Sequence, residues 1–238
     1  MGVDTPVIGS GPGECAILNA MSEFDIPSVR AAISQLRGLQ PNVFGSDGHG
    51  FQMNPVLSES EAAAFERDHR IVLPSDYRQF AIQVGNGGAG PFYGVFPLGF
   101  MDDNFDQRQW QENDGFIGTL SEPFRFQEEW NDLSGYPEAD LMKRDETEYN
   151  RQIEQFEGEY WSSELMNGAL PICHEGCALR IWLLVTGEQA GQLWEDRRSE
   201  YKGLRPVLLA GGLAATFSKW YCERLDGCFA TAGLPSWR

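Results

Sequence analysis

Long apolar stretches are absent from this sequence of 238 residues. A helix that crosses a bilayer needs roughly 20 consecutive apolar residues, and no segment approaches that length. The N-terminus, MGVDTPVIGSGPGECAILNA, also lacks the positively charged segment with which a secretory signal begins. We therefore expect a cytoplasmic protein without a membrane partner, in which residues 1–27 form a loose N-terminal arm.

Positive charge, histidine and cysteine are scarce. The chain has 18 Lys and Arg against 35 Asp and Glu, a formal charge of -17. An acidic protein is repelled by phosphates, so the composition argues against a nucleic-acid partner and for a basic protein partner. The 5 Cys are an odd number in a chain long enough to fold without disulfides, which is typical of free thiols in a reducing compartment. Because 42% of the residues are apolar, the charge does not indicate disorder.

Most of the negative charge lies in one segment. Residues 101–165 contain 18 Asp and Glu against 5 Lys and Arg, a net charge of -13, whereas the rest of the chain has a net charge of -4. The stretch DETEYNRQIEQFEGEYW in its second half has apolar residues at helical spacing. We interpret the segment as an acidic, partly helical insertion in a single domain of residues 28–238. Its aromatic residues either anchor the insertion to the core or, with the acids, form a recognition surface for a cationic protein.

Helical patterns precede strand patterns along the chain. Helices are predicted over residues 28–39, with Ser28 as N-cap, and over 58–69, which begins with a capping box of Ser58 and Glu61. A third helix is predicted over 75–84, with an apolar stripe of Tyr77, Phe80, Ala81 and Val84 on one face. A strand is predicted at residues 91–99, and the runs ALPIC, ALRIWLLVT and GQLWEDR predict three more. A last helix, GLAATFSKWYCERL, has Leu213, Phe217, Trp220 and Tyr221 on one face. Helices followed by a meander of antiparallel strands indicate an α+β fold.

The glycine cluster of residues 85–90, GNGGAG, raises the question of phosphate binding. A P-loop lies between a strand and a helix and continues with Lys and Ser or Thr; here a helix precedes the glycines, a strand follows them and no Lys comes next. A dinucleotide fingerprint must likewise open a helix. We interpret the cluster as a hinge, in which Gly85 and Gly87 supply positive φ angles for a helix end and a tight reversal.

The stretch CHEGC, residues 173–177, could carry chemistry. Cys173, His174 and Cys177 are possible metal ligands, but no second pair of Cys or His lies nearby in the sequence to complete a site. Neighbours along a strand point to opposite faces, which weakens a nucleophile and base formed by Cys173 and His174. We expect no metal, no cofactor and no catalytic residue. A metal-dependent hydrolase that uses these residues and nearby carboxylates is the alternative from a different class.

Two blocks of the sequence resemble the SUKH superfamily, which includes SMI/KNR-type cell-wall regulators and bacterial immunity proteins. They are LPSDYRQFAIQVGNGGAGPFYGVFPLG at residues 73–99 and LPICHEGCALRIWLLVTGEQAGQLWEDRR at residues 170–198. The resemblance covers roughly residues 55–225 and implies a curved antiparallel sheet flanked by helices. The blocks lie farther apart than in the family pattern, so the acidic segment looks like an elaborated insertion. The positions that carry the resemblance, all with an implied structural role, are Pro74, Tyr77, Phe80, Gly85, Asn86, Gly87, Gly88, Pro91, Tyr93, Gly94, Pro171, Gly176, Trp182, Trp194 and Asp196.

The resemblance also implies a function. Many bacterial members of the family bind and neutralise a toxin, often a nuclease, and fungal members act in cell-wall synthesis through protein contacts. We therefore expect a non-enzymatic immunity protein that binds a basic toxin, with a regulatory scaffold as the alternative. The expected contact residues are acids and aromatic residues in the first part of the insertion: Asp102, Asp103, Asp106, Trp110, Glu112, Asp114, Glu128, Glu129 and Trp130.

Overall fold

The computed structural model describes residues 25–103, 106–113 and 115–238, and these have the predicted α+β fold. The helices are α1 (Ile26–Leu39), α2 (Ser46–His49), α3 (Glu59–His69), α4 (Ser75–Gln83), α5 (Leu141–Arg144), α6 (Glu146–Tyr160) and α7 (Phe217–Thr231). The strands are β1 (Phe100–Asp103), β2 (Asp106–Gln109), β3 (Ala169–Gly176), β4 (Leu179–Leu184), β5 (Leu193–Asp196) and β6 (Leu204–Pro206). Almost all of the predicted N-terminal arm lies outside the described residues. Among the described helices, none is long and apolar enough to cross a bilayer.

The larger sheet is an open antiparallel meander in the order β3-β4-β5-β6. Trp182 of β4 lies opposite Trp194 of β5, which sets the register at the centre of the sheet. Two register shifts in β3, one before Cys173 and one after His174, are bulges that bend the strand and curve the sheet. The hairpin of β1 and β2 forms a separate two-stranded sheet.

The core lies between the meander and the helices that flank it. Its largest fully buried side chains include Trp182, Trp194, Trp220, Tyr77 and Phe80. The rings of Tyr77 and Phe80 on α4 each lie 5.0 Å from the ring of Phe217 on α7. Beside them, the buried carboxylate of Asp76 accepts a 2.9 Å hydrogen bond from the main-chain N–H of Ser218, in the first turn of α7. The predicted apolar stripe of α4 therefore packs the helix against α7.

The predicted N-caps of α3 and α1 have different outcomes. The capping box of α3 is confirmed: Glu61 N–H donates to Ser58 Oγ at 3.2 Å, and Ser58 N–H donates to Glu61 Oε2 at 2.8 Å. The predicted N-cap of α1 is wrong: the helix ends at Leu39 as predicted but begins at Ile26, and its N-cap is Asp25. The hydroxyl of Ser28 donates to the Asp25 carboxylate instead.

The glycine cluster is a hinge held by main-chain hydrogen bonds. The amides of residues 85–89 all donate to main-chain oxygens, among them Gly88 N–H to Val95 O at 2.8 Å, so these donors are not directed at a phosphate. Gly87 and Gly88 have φ angles of 76° and 103°, as a tight reversal requires. Gly85 corrects the prediction, because its φ is not positive. Glycine is needed there for space, since a Cβ would lie 2.9 Å from the main-chain oxygen of Asn54.

Residues 91–99 do not form the predicted strand. Val95 makes isolated bridges to Gly88 on one side and to Cys173 of β3 on the other. The φ angles of Phe92 and Gly94 are 51° and 95°, which interrupt any extended conformation. A Cβ on Gly94 would lie 2.4 Å from Gly88 O, so the chain doubles back closely on the glycine hinge. The segment is a tight loop packed along β3.

The last helix, α7, begins later in the chain than predicted. α7 starts at Phe217, and Phe217, Trp220 and Tyr221 are buried as expected. Leu213 is not on that face: it precedes the helix and is 71% exposed.

The remaining motif positions contact their own chain. Asn86 Oδ1 accepts a 2.8 Å hydrogen bond from Leu98 N–H, which closes the loop between them. Pro74 is the N-cap of α4, and Gly176 ends β3 with a φ of 99°. The other positions outside the core lie in or against β3: Pro91, Tyr93 and Pro171.

Candidate partner-binding surface

Residues 122–164 carry many exposed carboxylates and few exposed cations. The exposed acids, which we call the acidic surface, are Glu122, Glu128, Glu129, Asp132, Glu138, Asp140, Asp145, Glu146, Glu154, Glu157, Glu159 and Glu164. The exposed bases of the same stretch are Arg125, Lys143, Arg144 and Arg151. The predicted acidic segment therefore forms a surface with a threefold excess of negative groups.

Intramolecular pairs neutralise only part of this charge. On α6, Arg151 donates to both carboxylate oxygens of Glu148, at 2.6 and 2.8 Å. Hydrogen bonds from Arg151 and from Gln152 lower the pKa of Glu148 to about 2. Among the described residues no cation pairs with Glu154 or Glu157, which are exposed on the same helix. These two carboxylates project charge into the solvent.

The aromatic residues of the insertion anchor it to the core. Trp110 is only 4% exposed, and its ring lies 5.6 Å from that of His69. The ring of Trp130 is stacked between Phe126, at 5.1 Å, and Tyr160, at 5.5 Å. Trp110, which was predicted as a partner contact, is buried within the chain, and Trp130 is half-buried in this stack. Phe116 and Tyr136 remain exposed, at 38% and 41%, so the insertion presents these two rings together with its charge.

The predicted acidic contacts lie in different settings. Glu112 Oε1 lies 2.7 Å from His69 Nδ1 and accepts a 3.3 Å hydrogen bond from Leu120 N–H, so this carboxylate is already engaged within the chain. Glu128 and Glu129 are exposed, as expected. Of the others, Asp102 and Asp103 end β1, Asp106 begins β2, and Asp114 lies outside the described residues.

Tyr160 fixes the end of α6 to the sheet. Its hydroxyl donates to Asn131 Oδ1 at 2.7 Å and accepts from Gly203 N–H at 3.1 Å. Its main-chain oxygen accepts from Arg198 Nη1 at 3.2 Å. Arg198 is in turn held by Asp196 in a buried ion pair at 2.7 Å. The helix that carries Glu154 and Glu157 is therefore attached to the core at its C-terminal end.

A pocket of about 480 Å³ opens on the meander beside α7. Ile181 of β4, Pro206 of β6 and Leu208 supply apolar walls, and Leu208 is 61% exposed. Charged side chains from five parts of the chain share the lining: Glu129, Glu175, Glu195, Arg205 and Arg224. Because Glu129 belongs to the acidic surface, the pocket adjoins that surface.

Glu195 is held between two arginines in this pocket. Arg205 donates to its Oε2 from Nη2 at 2.6 Å and from Nε at 2.7 Å. Arg197 Nη1 lies 3.3 Å from its Oε1. Both carboxylate oxygens of Glu195 therefore have a cationic partner in the chain.

Glu175 has no such partner. Its Oε2 is buried and accepts no hydrogen bond from the described residues. Burial, and next the negative charge of Glu195, raise the pKa of Glu175 to about 7, against the opposing effect of Arg224 and Arg197. Arg224 lies over the ring of Phe92, 4.9 Å from its centroid, and pairs with none of the described carboxylates. The pocket thus contains a carboxyl group and a guanidinium that both have unused hydrogen-bonding capacity.

The residues of CHEGC have separate environments. Cys173 is buried and its Sγ donates to Pro91 O at 3.5 Å. His174 is buried and stacks on Tyr93, with the ring centroids 5.5 Å apart. Cys177 is exposed in the turn between β3 and β4. In the part of the chain that the structure describes, His, Cys, Asp and Glu form no group of three that could hold one metal ion.

Sequence reasoning missed the pocket. Glu175 was considered only as part of CHEGC, and Glu195 and Arg205 fall within strand patterns. The sequence does contain a usable signal, because LWED and LRP place charged residues in short strands that otherwise contain Trp and Leu. Such charged residues indicate a face of the sheet that no helix covers. That signal shows neither which strands are neighbours nor that Arg224 of α7 joins them.

Comparisons with known proteins give no relative for this chain: no family model matches it, and no match was found among curated proteins or among solved structures.

Proposed function

We propose that this chain is a non-enzymatic immunity protein of the SUKH type, which binds a cationic toxin and neutralises it by covering its active site. A nuclease with a basic cleft has the charge that suits this role. The observation that carries the proposal is the acidic surface, in which exposed carboxylates outnumber exposed cations and no described cation pairs with Glu154 or Glu157. The resemblance of residues 73–99 and 170–198 to the family supports it.

The physical basis is electrostatic. Clustered carboxylates raise the rate at which a cationic protein associates, and the effect weakens as salt screens the charges. The anchoring of Tyr160 by Arg198, Asn131 and Gly203 limits the ordering that α6 must undergo on binding. A surface that is already ordered loses less entropy when a complex forms. Occlusion of this kind requires a stoichiometric complex and no chemical step.

The test is affinity capture of the partner from the native lysate, followed by association kinetics with the purified partner. We expect a basic protein that associates more slowly as salt is raised. The variant Glu154→Lys/Glu157→Lys should slow association about tenfold or more at low salt and reduce its salt dependence. The matched control is Asp47→Lys/Asp68→Lys, which changes the net charge equally but outside the insertion, at two exposed positions.

Two results would contradict the proposal. Equal slowing by the two double variants would mean that net charge alone matters and that the acidic surface is not the interface. A captured partner that is acidic, or whose activity is unaffected in a saturated complex, would overturn neutralisation by occlusion.

A further inference from the structure

The pocket on the meander contains one carboxyl group with a buried oxygen that accepts no hydrogen bond from the described residues. Glu195 is paired on both oxygens, by Arg205 and Arg197, whereas Glu175 Oε2 is buried and has no hydrogen-bond partner among the described residues. A buried polar atom without a partner costs free energy that a bound donor can recover. The pocket, at about 480 Å³, has room for such a donor.

The residues that line the pocket indicate which kind of hydrogen-bond donor would bind to Glu175. The apolar walls of Ile181, Pro206 and Leu208 can contact an alkyl chain. Glu175 and Glu129, which both line the pocket, offer carboxylate oxygens to the end of such a chain. No hydrogen bond joins Arg224 to the described residues, so its guanidinium can donate to a main-chain carbonyl oxygen. An alkyl chain that ends in a cationic, planar donor group is the side chain of arginine, which is less strongly hydrated than lysine and pairs with carboxylates through two hydrogen bonds.

We infer that this pocket receives an arginine side chain of the cationic protein partner, with its guanidinium donating to Glu175 and with Arg224 donating to the main chain of the partner. The inference deepens the proposed function and rests on it for the identity of the ligand as a protein. It places a specific anchor beside the acidic surface, whose charge supplies steering but little discrimination between partners.

Binding in this mode requires ionised Glu175. The charged groups that face it are Glu195 of β5, Arg197 after β5, Arg205 of β6, Arg224 of α7 and, from the insertion, Glu129. Because the free carboxyl titrates at about pH 7, an arginine must displace a proton below that pH. The affinity for arginine should therefore fall by up to about tenfold per pH unit below pH 7 and be constant above it.

The test uses small probes and the full chain. N-acetyl-arginine amide is titrated into the protein at pH 8 and pH 6, with binding followed by amide chemical shifts of residues around the pocket. N-acetyl-citrulline amide, which has the same shape without the charge, is the matched probe. We expect saturable binding of the arginine probe at pH 8, at least about tenfold weaker binding of the citrulline probe, and weaker arginine binding at pH 6.

Variants separate the pocket from the rest of the surface. Glu175→Gln should reduce binding of the arginine probe to the level of citrulline and remove its pH dependence. Asp47→Asn, which removes an exposed carboxylate outside the acidic surface, should leave binding unchanged. Equal binding of the two probes, unchanged binding by Glu175→Gln, or no saturable shift with arginine would each overturn the inference.

The two proposals fail separately. If the arginine probe does not bind while the Glu154→Lys/Glu157→Lys variant still slows association with the partner, the pocket inference falls and the proposed function stands. If the probe binds at Glu175 but no cationic partner is neutralised, the pocket recognises arginine and the proposed function is wrong.

Discussion

Arg198 connects the end of the acidic helix to the last strands of the meander. Its Nη1 donates to the main-chain oxygen of Tyr160 at 3.2 Å, while Nε and Nη2 donate to the two carboxylate oxygens of Asp196 at 3.0 and 2.7 Å. Arg198 is 1% exposed. A guanidinium at the C-terminus of α6 also complements the partial negative charge of the helix end. The acidic surface therefore has a fixed position relative to the sheet.

Replacing Arg198 by methionine should be strongly destabilising. The change leaves the Asp196 carboxylate buried without a partner, which lowers the free energy of unfolding by about 3–5 kcal/mol. Urea unfolding followed by tryptophan fluorescence measures the effect. Arg144→Met is the matched control, because that arginine pairs with Glu138 and Asp140 at the surface, and the expected loss there is at most about 1 kcal/mol. Similar losses in the two variants would mean that the buried pair does not hold the helix.

Replacing a glycine by alanine should have opposite effects on stability in the glycine hinge and in α6. Gly88 has a φ of 103°, and a Cβ there would lie 2.5 Å from Gln52 O, so Gly88→Ala should lower the free energy of unfolding by about 2–3 kcal/mol. Gly158 lies within α6, and a Cβ there would meet nothing within 4 Å. Gly158→Ala should raise the free energy of unfolding by roughly 0.5–1 kcal/mol, because alanine favours helix. Thermal unfolding of both variants, compared with the unmodified chain, is the measurement.

The turn between β3 and β4 has residues that its conformation does not favour. Cys177 and Ala178 have φ angles of 51° and 62°, whereas a two-residue hairpin turn with both angles positive prefers Asn-Gly. The double change Cys177→Asn/Ala178→Gly should raise the free energy of unfolding by about 1 kcal/mol. Ala178→Val should lower it, because a β-branched side chain is strained at positive φ. A double variant that is no more stable than the original would show that the strain is relieved elsewhere.

The sequence predicted those features that depend on neighbours along the chain. The capping box of α3 and the apolar stripe of α4 are set within a few residues, and both are confirmed. Residues 91–99 were wrongly predicted because the positive φ of Phe92 and of Gly94 arises where the loop meets the glycine hinge and β3. An apolar, aromatic composition cannot distinguish such a loop from a strand.

The candidate surface was predicted in part for the same reason. Net charge is a property of composition, so the acidic segment could be found in the sequence, and Glu128 and Glu129 are exposed as expected. The direction of an aromatic side chain depends on tertiary contacts, and no periodicity in that part of the insertion distinguishes buried Trp110 from an exposed ring. The pocket combines Glu175, Glu195 and Arg224 from two strands and a helix, which only the fold brings together.

The carboxyl group of Glu175 predicts how stability depends on pH. Its pKa in the folded protein is raised to about 7 from the ordinary 4.5, so the folded chain holds a proton that the unfolded chain has already lost. The free energy of unfolding therefore falls as pH rises through this interval, and the full loss is present above about pH 7. Glu175→Gln has no charge to bury. The difference in free energy of unfolding, variant minus unmodified chain, should therefore be roughly 1–3 kcal/mol greater at pH 8 than at pH 4.5. Urea unfolding at both pH values tests this, with Glu154→Gln as the control that should show no pH-dependent difference. A Glu175→Gln variant whose relative stability is the same at pH 4.5 and pH 8 would mean that folding does not raise the pKa of Glu175.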